Sequence, residues 1–278
     1  MNKIEKIFKT TKPVIGMLHL GYFPGSHQYK GMENLIANAK MDIENLQNGG
    51  VDGILIEKWG NEGIAPFVES EVAVFMPAIV QELKSDIKVP FGVGVLNNDH
   101  KVALSIAAVS GASFIQMDVF VDHVKSDFKY NKFAIENPFE VKVDTEEVIS
   151  MAKRLGLQDL PIVVFVQPKH YTMLELNKPI ELSVKQAIKA GAGGVLITKE
   201  TGVAPTLDII KRAKKAAGEF SVGVGSGVSE ENIKEFLAVA DFAVIGSAFK
   251  YEGDVDNKVE LVRVKRIMDM AKSLQLSN

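Results

Sequence analysis

The side chains able to do chemistry in this chain stand at the ends of short apolar runs. His19 follows the run Val14 to Leu18, Glu57 and Lys58 end the run that starts at Gly53, and Asn97 and Asn98 follow Phe91 to Leu96. Asp118 lies at the end of Ser113 to Val119, Lys169 and His170 come just after Ile162 to Val166, and Thr198 and Lys199 close the run from Gly194. A core strand gains nothing by ending in a histidine or carboxylate, because an unpaired buried charge is costly. Taken singly, each of these residues reads equally well as a loop side chain facing water. Together, His19, Glu57, Asp118 and His170 suit general acid/base work, and Lys169 or Lys199 suits an electrostatic or imine-forming role. At Lys169, nearby carboxylates would favour the charged, substrate-orienting role over a Schiff base. The same carboxylates with His19 offer a ligand set for a divalent Mg or Mn ion, although no tight metal-motif spacing is present. There is no cysteine, G-x-S-x-G elbow, Walker A sequence or H-E-x-x-H. Proton abstraction beside a carbonyl, giving isomerisation, epimerisation or aldol cleavage, fits what is left.

A second chemistry lies in Ser221 to Lys250. Val222 to Val224 opens into Gly225-Ser226-Gly227, and Phe242 to Ile245 ends in Gly246-Ser247. Two glycine-serine turns after neighbouring strands let backbone N–H groups approach an anion, and a short helix over 248–251 would add its positive end. Gly225, Ser226, Gly227, Gly246 and Ser247 are therefore the expected phosphate-binding residues. Each turn alone is equally well a tight βα connection. Ser229 is placed to cap the helix that follows, with Glu230 and Glu231 in its first turn and Asn232 where a capping box would have Glu or Gln.

Positioning these residues needs a repeating scaffold. Helical patterns over 33–48, 71–85, 98–110, 145–155, 179–190, 207–217 and 259–274 alternate with the apolar runs. With the helix behind Ser229 they give eight βα units, which predicts a closed parallel (β/α)8 TIM barrel, in one domain over 1–278. An open nucleotide-binding sheet would want G-x-G-x-x-G after its first strand, where this chain has His19-Leu20-Gly21.

Composition narrows the partners. The chain has 278 residues, 46% of them hydrophobic, and a net charge of −3. Its mean hydropathy is +0.09 and its pI about 6.0. Basic and acidic residues are interspersed, so no nucleic acid or anionic membrane is expected as partner. No stretch suits a membrane span or a signal peptide, and the expected location is the cytoplasm. A phosphorylated small molecule is the expected substrate, with no certain cofactor, and a homo-oligomer is compatible with the composition.

Pro13-Val-Ile-Gly-Met-Leu-His-Leu20, Phe23-Pro24-Gly25, Gly50-Val-Asp-Gly-Ile-Leu-Ile-Glu57, Val95-Leu-Asn-Asn-Asp99, Lys169-His170, Gly225-Ser-Gly-Val228 and Gly253-Asp-Val-Asp-Asn257 together resemble the BtpA family of barrel proteins, which includes SgcQ-like members. The resemblance spans nearly the whole chain. It implies a ribulose-phosphate-binding type of barrel with His19, Glu57, Asn97, Lys169, His170 and Asp256 at the mouth. The chain departs from the family pattern at Asp118, where an Asn is usual, and at Thr198-Lys199 before Thr201-Gly202, where Ser-Gly is common.

The family's name comes from photosystem I accumulation, which makes a non-catalytic assembly factor the rival reading. Its sequence feature would be an exposed apolar surface such as Phe128 to Phe139, within a long loop at about 120–143 on the catalytic face. The same aromatics would serve equally as packing residues of a lid.

Overall fold

The computed structural model describes residues 3–59, 65–127 and 136–275. Eight strands, each parallel to its neighbours, close into a barrel in chain order: β1 (Val14–Leu20), β2 (Gly53–Lys58), β3 (Phe91–Gly94), β4 (Phe114–Met117), β5 (Ile162–Phe165), β6 (Gly194–Ile197), β7 (Val222–Gly225) and β8 (Phe242–Ile245). Such strands are covered on both faces, which is why they read as continuous apolar runs. Alternate residues nevertheless do different work. Val14, Leu18, Val93 and Val164 pack outward under the helices. Ile15, Met17, Leu55, Phe114, Val163, Phe165, Leu196, Phe242 and Val244 fill the barrel interior.

Large and small residues interlock in that interior. A Cβ on Gly92 would lie 2.3 Å from Phe114, and one on Gly223 would lie 2.3 Å from Phe242. The floor is closed by a six-residue helix, α1 (Lys3–Phe8), whose Ile4 and Phe8 join the interior cluster. Their i, i+4 spacing puts both on one face.

The outer layer is α2 (Met32–Gly49), α3 (Ser70–Leu83), α4 (His100–Ser110), α5 (Thr145–Arg154), α6 (Ile180–Lys189), α7 (Leu207–Ala217), α8 (Ile233–Val239) and α9 (Leu261–Gln275). Their ends follow sequence signals. Asp99 caps α4 by accepting the Val102 N–H at 3.0 Å, and Gly111 ends it in the left-handed region, φ 79°. Asp144 accepts the N–H groups of Glu146 and Glu147 at the start of α5. Among the described residues no helix is long and apolar enough to cross a membrane.

Besides helix α1, which carries no pattern in the sequence reading, the structure differs from that reading in three places. Helix α8 begins at Ile233 rather than beside Ser229, whose hydroxyl goes to Glu231. Asn232 still performs the returning half of a capping box, accepting the Ser229 N–H at 2.9 Å. The short helix expected over 248–251 is instead a 3-10 turn, Ser247–Phe249, followed by a second at Tyr251–Gly253. The long segment after β4 is partly ordered as a sheet. Val124–Ser126 lies between Glu140–Val141 and Tyr171–Met173 in a three-stranded antiparallel sheet. Val119, Val124 and Val141 are buried beneath it, and Phe139 meets Tyr171 edge-on at 6.4 Å. The rest of the aromatic segment proposed as an exposed surface, residues 128–135, lies outside the described residues.

Candidate active site

Register assembles the site. In the barrel His19 pairs with Glu57, Glu57 with Gly94, and Gly94 with Gln116, so four strands present these residues at one level. All four continue the inward-facing alternation that begins below them with Met17, Leu55, Gly92 and Phe114. Gly94 leaves a gap between its neighbours, and across it Gln116 Nε2 donates to Glu57 Oε1 at 3.3 Å. On the other side His19 Nε2 stands 3.5 Å from Glu57 Oε2. The Trp59 ring closes over His19 edge-on at 5.4 Å, and its Nε1–H donates to Asp256 Oδ1 at 2.9 Å.

These groups are out of water, and that sets their charge states. Burial pushes Glu57 up to about 7, against the opposing pull of the Lys169 ammonium and the Gln116 hydrogen bond. Burial pushes Asp118 up to about 8, and the neighbouring Glu57 carboxylate adds to the rise. Two carboxyl groups this close do not both ionise readily. His19 is held well below its usual range by burial and by the ammonium groups of Lys250 and Lys169, so its imidazole is neutral near pH 7. His19 Nδ1 is buried without a hydrogen-bond partner among the described residues.

Lys169 and His170 come from a turn that other residues hold in shape. Gln167 and His170 both have positive φ, 50° and 63°, a strained arrangement for residues with side chains. Asp122 accepts the Gln167 N–H at 2.7 Å and the Ser183 hydroxyl at 2.7 Å, and pairs with Lys178 at 2.8 Å. The His170 carbonyl accepts the Asp127 N–H at 2.7 Å, joining the turn to the small sheet. So held, Lys169 Nζ donates to Thr201 Oγ1 at 3.4 Å. Among the described residues no direct ion pair joins Lys169 to Glu57 or Asp118, which feel its charge through space. His170 reaches the same hydroxyl, with Nε2 3.0 Å from Thr201 Oγ1, while its Nδ1 lies 3.0 Å from Glu200 Oε2. Burial and Lys169 lower it to about 4.

One cavity, with about 620 Å³ of empty space including its open mouth, runs from His19, Glu57, Gln116 and Lys169 to the two glycine-serine turns. Gly225, Ser226, Gly227, Gly246 and Ser247 all line it, as does Thr198. The hydroxyls of Thr198 and Ser226 are buried, with no hydrogen-bond partner among the described residues. Ser226 has φ 62° and Gly227 φ 56°, so the turn curls tightly at this point. A Cβ on Gly227 would lie 2.2 Å from Ala204 N, so the backbone of the loop after β6 needs glycine here.

Other expected site residues stand elsewhere. Lys199 is exposed, because it faces away from the barrel where Thr198 faces in. Asn97 is nearly buried and donates to the Ala65 carbonyl at 3.0 Å, holding the loop after β2 rather than lining the cavity. Asp256 acts on the cavity through Trp59, and Asp118 is buried outside the cavity lining, near enough to Glu57 to feel its charge. Gln116, Trp59, Thr201 and Lys250 were not expected. The inward alternation Phe114, Gln116, Asp118 was the sequence signal for Gln116. Among the described residues no three His, Asp or Glu side chains are arranged to hold a metal ion, so the ligand set suggested for Mg or Mn does not assemble.

The fold and site define a (β/α)8 barrel whose polar residues gather at the C-terminal ends of its strands. A model of the BtpA family matches residues 10–273, and the chain belongs to that family. It is 30% identical to the photosystem I biogenesis protein BtpA of Synechocystis over 276 residues, 96% of this chain and 91% of that one. It is also 30% identical over 277 residues to the putative sgc region protein SgcQ of Escherichia coli, 97% of each chain. Among solved structures it resembles tryptophan synthase from M. tuberculosis, with TM-score 0.59, 14% identity and 99% of each chain covered. Phosphoribosyl anthranilate isomerase from Thermococcus kodakaraensis gives TM-score 0.53 and 13% identity, over 94% of this chain and 99% of that one. These structural likenesses speak to the barrel alone.

Proposed function

We propose that the chain is an enzyme that moves a proton beside a carbonyl in a phosphorylated sugar or nucleotide-related metabolite, as an isomerase, epimerase or lyase. One observation carries the reading. A single cavity joins paired glycine-serine turns and two unpartnered buried hydroxyls at one end to a buried Glu57, neutral His19 and Lys169 at the other. The N–H groups of 225–227 and 246–247 take the phosphate, with the Ser226 and Thr198 hydroxyls as added donors. The carbon chain then lies towards Glu57. Titrating about 7, Glu57 is matched to accept and return a proton near neutral pH. The electron pair left on carbon moves to the carbonyl oxygen, where the Lys169 ammonium and the His19 N–H stabilise the new negative charge. Asp118, about 8, stays protonated near Glu57 and keeps a second negative charge out of the site. The partner this reading implies is a small phosphate ester.

The rival reading, an assembly factor, takes its support from the name of the Synechocystis relative. Thermal denaturation with a panel of sugar phosphates, nucleotides and their unphosphorylated counterparts separates the two. A ligand at 100 times its dissociation constant adds about 2.7 kcal/mol to stability. The enzyme reading predicts that at least one phosphate ester raises the melting temperature while its unphosphorylated counterpart does not. A flat response across the panel favours the assembly factor.

A further inference from the structure

We infer that the ligand has a second, polyhydroxylated arm, held in a separate cavity on the far side of His19; this rests on the phosphate reading of the first cavity. The second cavity has about 830 Å³ of empty space including its mouth. It lies between the loop after β1, the first turns of α2 and the segment 254–258. His19 is a wall of both cavities. The partition between them is thin: Val255 faces the first cavity and Asp256 the second. Lys250, buried beneath, donates to the Val255 carbonyl and fixes that partition. The Trp59 to Asp256 hydrogen bond spans it. A molecule reacting over His19 and Glu57 therefore has room on both sides, with its phosphate on one.

The lining identifies the class of the arm. It presents the amides of Gln28, Asn34 and Asn38, the carboxylates of Asp42 and Asp256 and the ammonium groups of Lys30 and Lys258. Asn38 Nδ2 donates to Asn34 Oδ1 at 2.8 Å, which leaves Asn38 Oδ1 as an acceptor and Asn34 Nδ2 as a donor. Hydroxyl groups both donate and accept and match such a mixed wall. The two carboxylates offset the two ammonium groups, so the wall has no net positive charge to draw a second phosphate, and an apolar group would leave these polar atoms unpaired.

The test compares two esters that differ in the arm alone and carry no carbonyl to react: glycerol 3-phosphate, which is short, and sorbitol 6-phosphate, which is long. Calorimetric titration of the wild-type chain should show sorbitol 6-phosphate binding about tenfold more tightly, the factor two ordinary hydrogen bonds supply. Asn38→Trp fills the second cavity and should bring the ratio to about one without changing the affinity for glycerol 3-phosphate. Asn34→Trp, at an exposed position on the same helix, should do the same if Asn38→Trp fails to fold. Equal affinities in the wild type, or a preference for the longer ester that survives the filled cavity, overturn this inference alone. Failure of inorganic phosphate and both esters to bind overturns the phosphate reading and the second arm with it.

Discussion

Glu57 and Asp118 are the residues whose environment says most about chemistry, and their titration makes them testable without a known substrate. Both are pushed above their values in an unfolded chain, to about 7 and about 8. Between about pH 4 and pH 8 the folded protein therefore keeps protons that the unfolded chain has released. Stability contributed by these groups is full below that window, falls as pH rises through it and then levels. Asp118→Asn removes the penalty. At pH 9 it should be more stable than wild type by several kcal/mol, at roughly 1.4 kcal/mol for each unit by which the pKa is raised, and at pH 4 equally stable, by urea unfolding. Equal stability at both pH values would show a solvated, ordinary carboxylate. For catalysis, Glu57→Gln and His19→Ala should keep the fold by circular dichroism and lose about 10²- to 10⁴-fold in turnover, the usual worth of positioned acid/base groups. Wild-type turnover in both would make these residues structural. With Lys169 as a charged, substrate-orienting group, borohydride with a carbonyl substrate should leave no adduct on it, while Lys169→Met should weaken substrate binding. A trapped adduct at Lys169 would make this an imine-forming aldolase.

At the scale of elements, the turn that carries Lys169 depends on residues outside the cavity. Asp122 and Lys178 form a pair whose side chains are 1% and 3% exposed, and Asp122 also holds the Gln167 N–H. Asp122→Ala takes one of two carboxylates from the buried Lys178 ammonium, leaving Glu175 at 2.8 Å, and strips the Gln167 N–H and the Ser183 hydroxyl of their acceptor; it should cost about 1 to 3 kcal/mol for each donor left unsatisfied, measured by urea unfolding. A loss under about 1 kcal/mol would mean that water reaches the pair. The barrel floor gives a second test. Phe8→Ala empties the space beside Gly53 and should cost about 3 to 5 kcal/mol, against almost nothing if α1 is merely attached. These elements also show what the sequence could and could not express. The eight barrel strands and most helix limits were legible because apolar runs and caps are local signals, as at Asp99, Asp144 and Gly111. His19 and Glu57 were legible because strand ends announce the mouth of a barrel. The small sheet was not, since strands of two or three residues have no periodicity and are held by pairing across the chain. Helix α1 hid among charged residues, with Ile4 and Phe8 as its one cue. Lys199 and Asn97 were misplaced because neighbouring residues at a strand end face opposite ways, and only register says which one enters the cavity.

For the whole molecule, the barrel brings together turns separated by most of the chain. His19 is near one end of the sequence and Gly246 near the other, yet a Cβ on Gly246 would lie 3.0 Å from His19 Cε1. The closed order, with β1 paired to β8, is what brings the glycine-serine turns and the residues His19 and Glu57 to one cavity. The central claim is that this site holds a phosphate through backbone N–H groups. The most direct measurement is a titration with inorganic phosphate followed by the amide resonances of the ¹⁵N-labelled chain. The account predicts saturable shifts concentrated at Gly225, Ser226, Gly227, Gly246 and Ser247, with smaller ones at Thr198 and Lys169. No saturable shift, or shifts confined to exposed lysines away from these turns, would contradict it.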